Sequence, residues 1–318
     1  MIARVVVLGL ALLAIAAWAT TIVVTFPAYD LYLKEAFPQA NVVLLTKGVS
    51  DPHEYQLTPS DVQMLLSLGP NDVIVTSLHA QFELRILQMA QSGEIKAKVV
   101  VVPQIAQYLT FDGRLVRGNW SEGGVNEHEH GLYVPNAIRI IEAVANATGL
   151  SPNQTYLEQL LELNRTYCCK FSGRAVAVTP AAEYILYWLG YRDIVVLIKE
   201  EGVPPTPQDL QRAAEYMEEG APALAVGVSG ETLRIAQSLE DKLREMGVSN
   251  PHIITAVFNG SYIGTMEQVV EQISQRTQTA QPAQAGSAPG YLLLIIAVTV
   301  AVAAAAIAVF KFRRASVH

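Results

Sequence analysis

DVIVTSLHAQFELRILQMAQSGEIKAKVVVV, residues 72–102, carries the pattern that decides the fold. A short β-branched run (72–76) is followed by a helix-length amphipathic stretch and then by a second β-branched run (97–102). Parallel strands cannot be joined by a tight turn and need a long return path, which a helix supplies, so this alternation predicts a parallel sheet with crossover helices. Outward from it, TIVVTF (21–26) and NVVLL (41–45) precede, and RAVAV (174–178), DIVVLI (193–198), PALAVGV (222–228) and HIITAVF (252–258) follow. The expected fold class is α/β, with two lobes that each hold a four-stranded parallel sheet flanked by helices. The lobes are expected over 20–134 and 171–273. Between them the stretch 135–167 shows apolar residues at helical spacing and no strand-like run, so 135–170 reads as a helical connector. No short-period repeat is visible, which argues against a solenoid.

The ends of the 318-residue chain differ from its middle. After Arg4, VVVLGLALLAIAAWA (5–19) closes on the small-x-small triplet Ala17-Trp18-Ala19, so 1–19 reads as a signal peptide or an uncleaved N-terminal anchor. YLLLIIAVTVAVAAAAIAVF (291–310) is uncharged and long enough to cross a bilayer as a helix. Lys311, Arg313 and Arg314 follow it, which puts the tail 311–318 in the cytoplasm and the bulk of the chain outside the cell membrane. SQRTQTAQPAQAGSAPG (274–290) lacks a core pattern and reads as a flexible stalk. Glycosylation sequons at Asn119, Asn146, Asn153, Asn164 and Asn259 agree with an external location. A net charge of −7, with no basic cluster outside the tail, argues against nucleic acid as a partner. The two cysteines, Cys168 and Cys169, are neighbours and exclude a disulfide framework. A strained vicinal disulfide and a pair of thiols both remain open, and no function is assigned to them.

The histidines are the most informative residues. His53 stands in DPHEYQLTPSD (51–61), just upstream of a helix start marked by Thr58 as N-cap, Pro59 and Asp61. It follows the second expected strand. His79 follows the third, and His128 and His130 lie after the fourth, in NEHEHGLYVPNA (126–137). Ligands of open parallel sheets bind beyond the carboxyl ends of the strands, so all four fall on one ligand-binding edge of the first lobe. Neutral imidazoles bind zinc and similar divalent ions, and three or four complete a tetrahedral shell. His252 and His318 lie away from that edge. Three histidines with an open position would also suit a zinc hydrolase. No HExxH, GxSxG or phosphate-binding glycine loop accompanies them, and Glu127 and Glu129 read as solvated or cation-gathering acids. A captured ion is expected, not an enzyme. Imidazole donors favour zinc, whereas manganese would want more carboxylate oxygen.

DPHEYQLTPSD resembles the signature of the zinc/manganese-type extracellular solute-binding proteins of metal ABC transporters, in which Asp-Pro-His precedes Tyr and then Pro-Ser-Asp. HEHGLYVPNA is similar to that family's second ligand segment, and SLHAQFELRI, KAKVVVV and EEGVPPTPQDL add further likeness across residues 21–275. The resemblance implies that His53 and His130 take the places of the first two metal ligands. It also implies capture of a divalent metal ion between two lobes and delivery to an ABC transporter permease, here from a membrane anchor formed by the C-terminal helix. The chain departs from the family in the second lobe. Thr179 stands where a third ligand is usual, Val257, Phe258 and Asn259 stand where a carboxylate is usual, and the connector is short. His79 and His128, with Glu183 reaching in from the second lobe, are expected to complete the shell. The competing expectation is a surface adhesion or sensory module on the same fold that has lost metal transport.

Overall fold

The computed structural model describes residues 19–49, 52–117, 124–200, 202–227, 230–258 and 260–280. Of the expected signal peptide or anchor (1–19), residues 1–18 lie outside the described residues, as do the apolar run 291–310, the tail 311–318 and the sequons at Asn119 and Asn259. Among the described residues no helix is long and apolar enough to cross a membrane.

The β-branched runs become strands. In chain order the first part contains β1 (Thr21–Val24), α1 (Pro27–Ala36), β2 (Asn41–Leu44), α2 (Pro59–Ser67), β3 (Val73–Thr76), α3 (Gln81–Gln91) and β4 (Lys98–Val101). These strands pair in parallel in the order β2-β1-β3-β4, with Val23 opposite both Val43 and Ile74. Ile22, Val23, Val24, Val73, Ile74 and Val75 are all fully buried. Helices cover both faces of the sheet, so its central strands read as unbroken apolar runs and not as alternation. The chain runs from β1 to β2 on one side and returns to β3 on the other. That reversal leaves a crevice at the carboxyl ends of β1 and β3, where such sheets bind ligands.

A three-stranded antiparallel sheet follows, which the sequence reading did not anticipate. It comprises β5 (Gln107–Thr110), β6 (Leu115–Arg117) and β7 (Val125–Asn126), with β5 in the middle. Its first turn contains Asp112 and Gly113, the latter at φ 82, and Thr110 N–H closes the turn on Arg114 O at 2.9 Å. Two helices, α4 (Val134–Thr148) and α5 (Gln154–Tyr167), then form the connector, separated by Gly149 in the left-handed conformation. Glycine adopts that conformation without the steric cost a Cβ would bring.

The second lobe contains β8 (Arg174–Ala177), α6 (Pro180–Leu189), β9 (Asp193–Val196), α7 (Pro207–Glu218), β10 (Ala223–Gly227), α8 (Glu231–Glu245) and β11 (Ile253–Val257). Its parallel sheet runs β11-β10-β8-β9, with Val176, Val195, Ala223 and Ala225 in a core shared with Leu210, Tyr216 and Leu239 of the helices. The final described element is α9 (Tyr262–Ala280). It overlaps 274–280, which the sequence reading assigned to a flexible stalk. SQRTQTA contains neither glycine nor proline, so nothing stops a helix already begun upstream. The described residues up to Gln272 form one compact unit, and the described residues from Ile273 to Ala280 belong to a second.

Candidate metal centre

The site is built on a buried carboxylate. Glu83, in the first turn of α3, is fully buried and accepts hydrogen bonds from Thr25 Oγ1 (2.6 Å), Thr76 Oγ1 (2.8 Å), Ser77 N–H (2.8 Å) and Oγ, His79 N–H (2.7 Å) and Ala80 N–H (2.9 Å). These donors come from the ends of β1 and β3 and from the loop that follows β3. Leu78 adopts a left-handed backbone (φ 56) within that loop, unusual for a leucine. The converging donors hold this conformation and fix where His79 leaves the chain.

Three of the expected histidines meet at the crevice. Nitrogen atoms of His53, His79 and His128 all lie within 4.8 Å of one another. His53 sits on a single 3-10 turn, Pro52–Glu54, ahead of α2, whose capping box between Thr58 and Asp61 is formed. The three rings stand edge to face, with centroids 4.6 Å apart for His53–His79, 4.9 Å for His79–His128 and 5.4 Å for His53–His128. Phe26, following β1, packs against His53 and His79. His79 Nδ1 lies 2.7 Å from Glu127 Oε2. A carboxylate only accepts, so Nδ1 carries a proton, and in the neutral ring the lone pair lies on Nε2. That Nε2 is buried and has no hydrogen-bond partner. A carboxylate that orients a histidine through its other nitrogen is a common support for metal ligands. Glu127, half-buried, thus orients a histidine, a role that the sequence alone did not give it. His128 is held below the ordinary histidine value by burial and then by His79. Its Nε2 lies 3.3 Å from Oε2 of Glu200, an exposed residue after β9 in the second lobe.

His130 and Glu183 are not among the three. His130 is 2% exposed, with Nδ1 donating to Glu127 O at 3.0 Å and Nε2 2.9 Å from the hydroxyl of Tyr29. With its proton on Nδ1, His130 must accept from the Tyr29 hydroxyl, whose pKa burial raises well above its ordinary value. Its remaining lone pair is thus engaged, and burial pushes the ring down to about 4. His130 lines the wall of the same cavity, about 40 Å³ in volume. Glu129, between the two histidines, has a left-handed backbone (φ 52), lines the cavity and leaves Oε2 buried without a partner. Burial pushes it up to about 7.

Glu183 lies on α6 and accepts from Asn126 Nδ2 at 2.7 Å. Asn126 Nδ2 also donates to Pro180 O, its backbone oxygen accepts from Tyr184, and its Oδ1 accepts from His128 N–H at 3.1 Å. Asn126 thereby ties the His128 loop to the second lobe. Thr179, at the position of the missing family ligand, instead exchanges hydrogen bonds with the Val226 backbone. Burial pushes the Glu183 carboxyl up to about 7, from an ordinary 4.5. The native state then holds a proton that the unfolded chain releases from 4.5 upward, so this stabilising contribution is full below 4.5 and is lost as pH rises through 7. Glu183→Gln keeps the acceptor and removes the titration. It is expected to be more stable than the parent at pH 8 by about 1–3 kcal/mol and nearly equal to it at pH 5. Urea denaturation at the two pH values reads this, and equal stability at pH 8 would remove Glu183 from the pH dependence.

With a donor set of imidazoles at the switch point of one parallel sheet and a second lobe beside it, the chain is a two-lobed α/β metal-binding protein. It belongs to the family described as ZnuA, zinc-uptake complex component A, periplasmic, whose profile matches residues 22–276. The family is one of substrate-binding proteins of transport. Among solved structures, the fold is similar to the Zn(II)-bound ZnuA-like domain of Streptococcus pneumoniae AdcA, with TM-score 0.54 and 18% identity over 81% of this chain and 99% of that one. It is also similar to the periplasmic zinc-binding protein TroA from Treponema pallidum, with TM-score 0.55 and 16% identity over 81% and 99% of the two chains. The Mn2+ complex of FpvC from Pseudomonas aeruginosa gives TM-score 0.56 and 17% identity over 82% and 99%. At these identities the likeness concerns the fold. No curated protein sequence matches the chain.

Proposed function

We propose that this protein captures zinc, with manganese as the alternative, at His53, His79 and His128 and hands it to an ABC transporter permease. The observation that carries the reading is the triad itself, three imidazoles from three separate loops around one small buried cavity. Zinc–nitrogen bonds of about 2.0–2.1 Å put tetrahedral donor atoms about 3.4 Å apart, so the rings need close in by little more than about 1 Å. A divalent ion among neutral imidazoles leaves positive charge uncompensated. Glu129 is the buried carboxyl beside them that gains most by ionising when the ion enters, and Glu200 offers the contact from the second lobe. The zinc-uptake description of the family and the zinc-bound and manganese-bound neighbours support the choice of cargo. The apolar run 291–310 and its basic flank support a tether that keeps the lobes near a membrane permease.

Calorimetric zinc titration across pH tests the ligands. Protons compete with the ion for the imidazole lone pairs. Affinity is therefore expected to fall as pH drops, by up to about tenfold per pH unit for each ring that protonates, with His128, held below the ordinary histidine value by burial, among the last to do so. Equal affinity at pH 7.5 and pH 4.5 would rule out histidine ligation.

A further inference from the structure

Where the connector ends and the second lobe begins, Tyr167, Cys168, Cys169 and Lys170 form a turn closed by Lys170 N–H on Tyr167 O at 3.3 Å. Cys168 has φ −56 and ψ 131, and Cys169 has φ 59. These angles are those of a type II turn, whose third position calls for a positive φ and is ordinarily glycine or asparagine. A cysteine occupies it here, although an L side chain in that region is disfavoured. The conformation is fixed from outside. Cys169 N–H donates to Trp188 O at 2.9 Å, and Phe171 N–H to Leu189 O at 2.8 Å, which pegs the turn to the end of α6. Gly190 (φ 117) lets it lie this close, since a Cβ there would fall 2.1 Å from Phe171 O. The result is that the two sulfurs stand 2.9 Å apart, with Cys169 exposed and the Arg192 guanidinium 3.9 Å from its sulfur. They are the only cysteines of the chain.

We propose that Cys168 and Cys169 form a reversible dithiol–disulfide site, oxidised by a small soluble disulfide of the glutathione class. The exposed Cys169, as thiolate, attacks one sulfur of the external disulfide, whose S–S bond breaks and whose other half leaves and takes up a proton. Cys168 then loses its proton to solvent and attacks Cys169 Sγ, so that the Sγ–Sγ bond forms and the second external thiol departs. Two cysteine thiols are oxidised by two electrons and one external disulfide is reduced to two thiols. Burial, and then the hydrogen bond to Cys169, push the Cys168 thiol up to about 11, which agrees with Cys169 meeting the oxidant first. Adjacent Cα atoms stand about 3.8 Å apart, below the roughly 4.4–6.8 Å usual for disulfides, so the ring is strained and belongs to the easily reduced class. The periplasmic description of the family fits an oxidising compartment, in which disulfides form and persist.

The test uses the full chain, first reduced, then exposed to oxidised glutathione at neutral pH and analysed by intact mass and by thiol titration. The expected product has lost two hydrogens and both titratable thiols, carries no glutathione, and is restored by dithiothreitol. Cys168→Ser is expected to stop at a single glutathione adduct on Cys169. A wild-type chain that retains the adduct, or that keeps both thiols titratable under oxidation, would overturn the proposal. The readout is independent of zinc, so it stands or falls apart from the metal centre.

Discussion

His79→Ala is expected to abolish the rise in melting temperature that zinc confers, while His130→Ala is expected to keep it. Zinc at about a hundredfold over Kd stabilises the native state by about 2.7 kcal/mol, which corresponds to a shift of about 5–10 °C for a domain of this size. His79 supplies a triad nitrogen whose geometry is fixed on both sides, by Glu127 at Nδ1 and by the Glu83-bound backbone at its N–H. Without it, two imidazoles remain on separate loops, too few to hold an ion in a site designed around three. His130→Ala works on a different quantity. It strips the Tyr29 hydroxyl of its buried partner and is expected to lower the stability of the zinc-free chain by about 1–3 kcal/mol. Differential scanning calorimetry with and without zinc separates the two. A zinc shift that survives in His79→Ala and disappears in His130→Ala would move the site to the Tyr29 side of the cavity wall.

Glu83→Ala is expected to cause the larger loss of intrinsic stability, about 4 kcal/mol in the absence of metal. The carboxylate satisfies six donor groups, from Thr25, Thr76, Ser77 twice, His79 and Ala80, and all of these residues but His79 are buried. Orphaning buried donors costs about 1–3 kcal/mol each before relaxation, so even partial rearrangement leaves a change at the upper end of what single substitutions produce. The Leu78 backbone loses the contacts that hold it left-handed, and zinc affinity is expected to fall along with stability. A shift of less than about 1 kcal/mol in urea unfolding would show that the donors find other acceptors.

The eight parallel strands were legible because sheets covered on both faces write themselves as unbroken β-branched runs, as in VIVT of β3 and KVVV of β4. The small antiparallel sheet was not, although Asp112-Gly113 is a strong hairpin dipeptide. Its strands are short, and β7 contributes only Val125 and Asn126. At the site, strand ends announced which loops carry ligands but not which way a side chain faces. His128 and His130 are two residues apart and look equivalent on paper. The left-handed backbone at Glu129 separates them, so that His128 meets His53 and His79 while His130 meets Tyr29. Glu127 looked like a loop acid because its partner, His79, is far along the chain. Glu200 carried no signal at all, since its approach to His128 depends on how the lobes face each other.

Asn126 has a consequence for unloading. One side-chain amide grips Glu183 and Pro180 of the second lobe while the oxygen of the same amide steadies His128. Any hinge motion that parts the lobes must pull on that amide, and the ring it steadies is drawn out of register with His53 and His79. Under the proposed function, a permease that parts the lobes would loosen the bound ion through that amide.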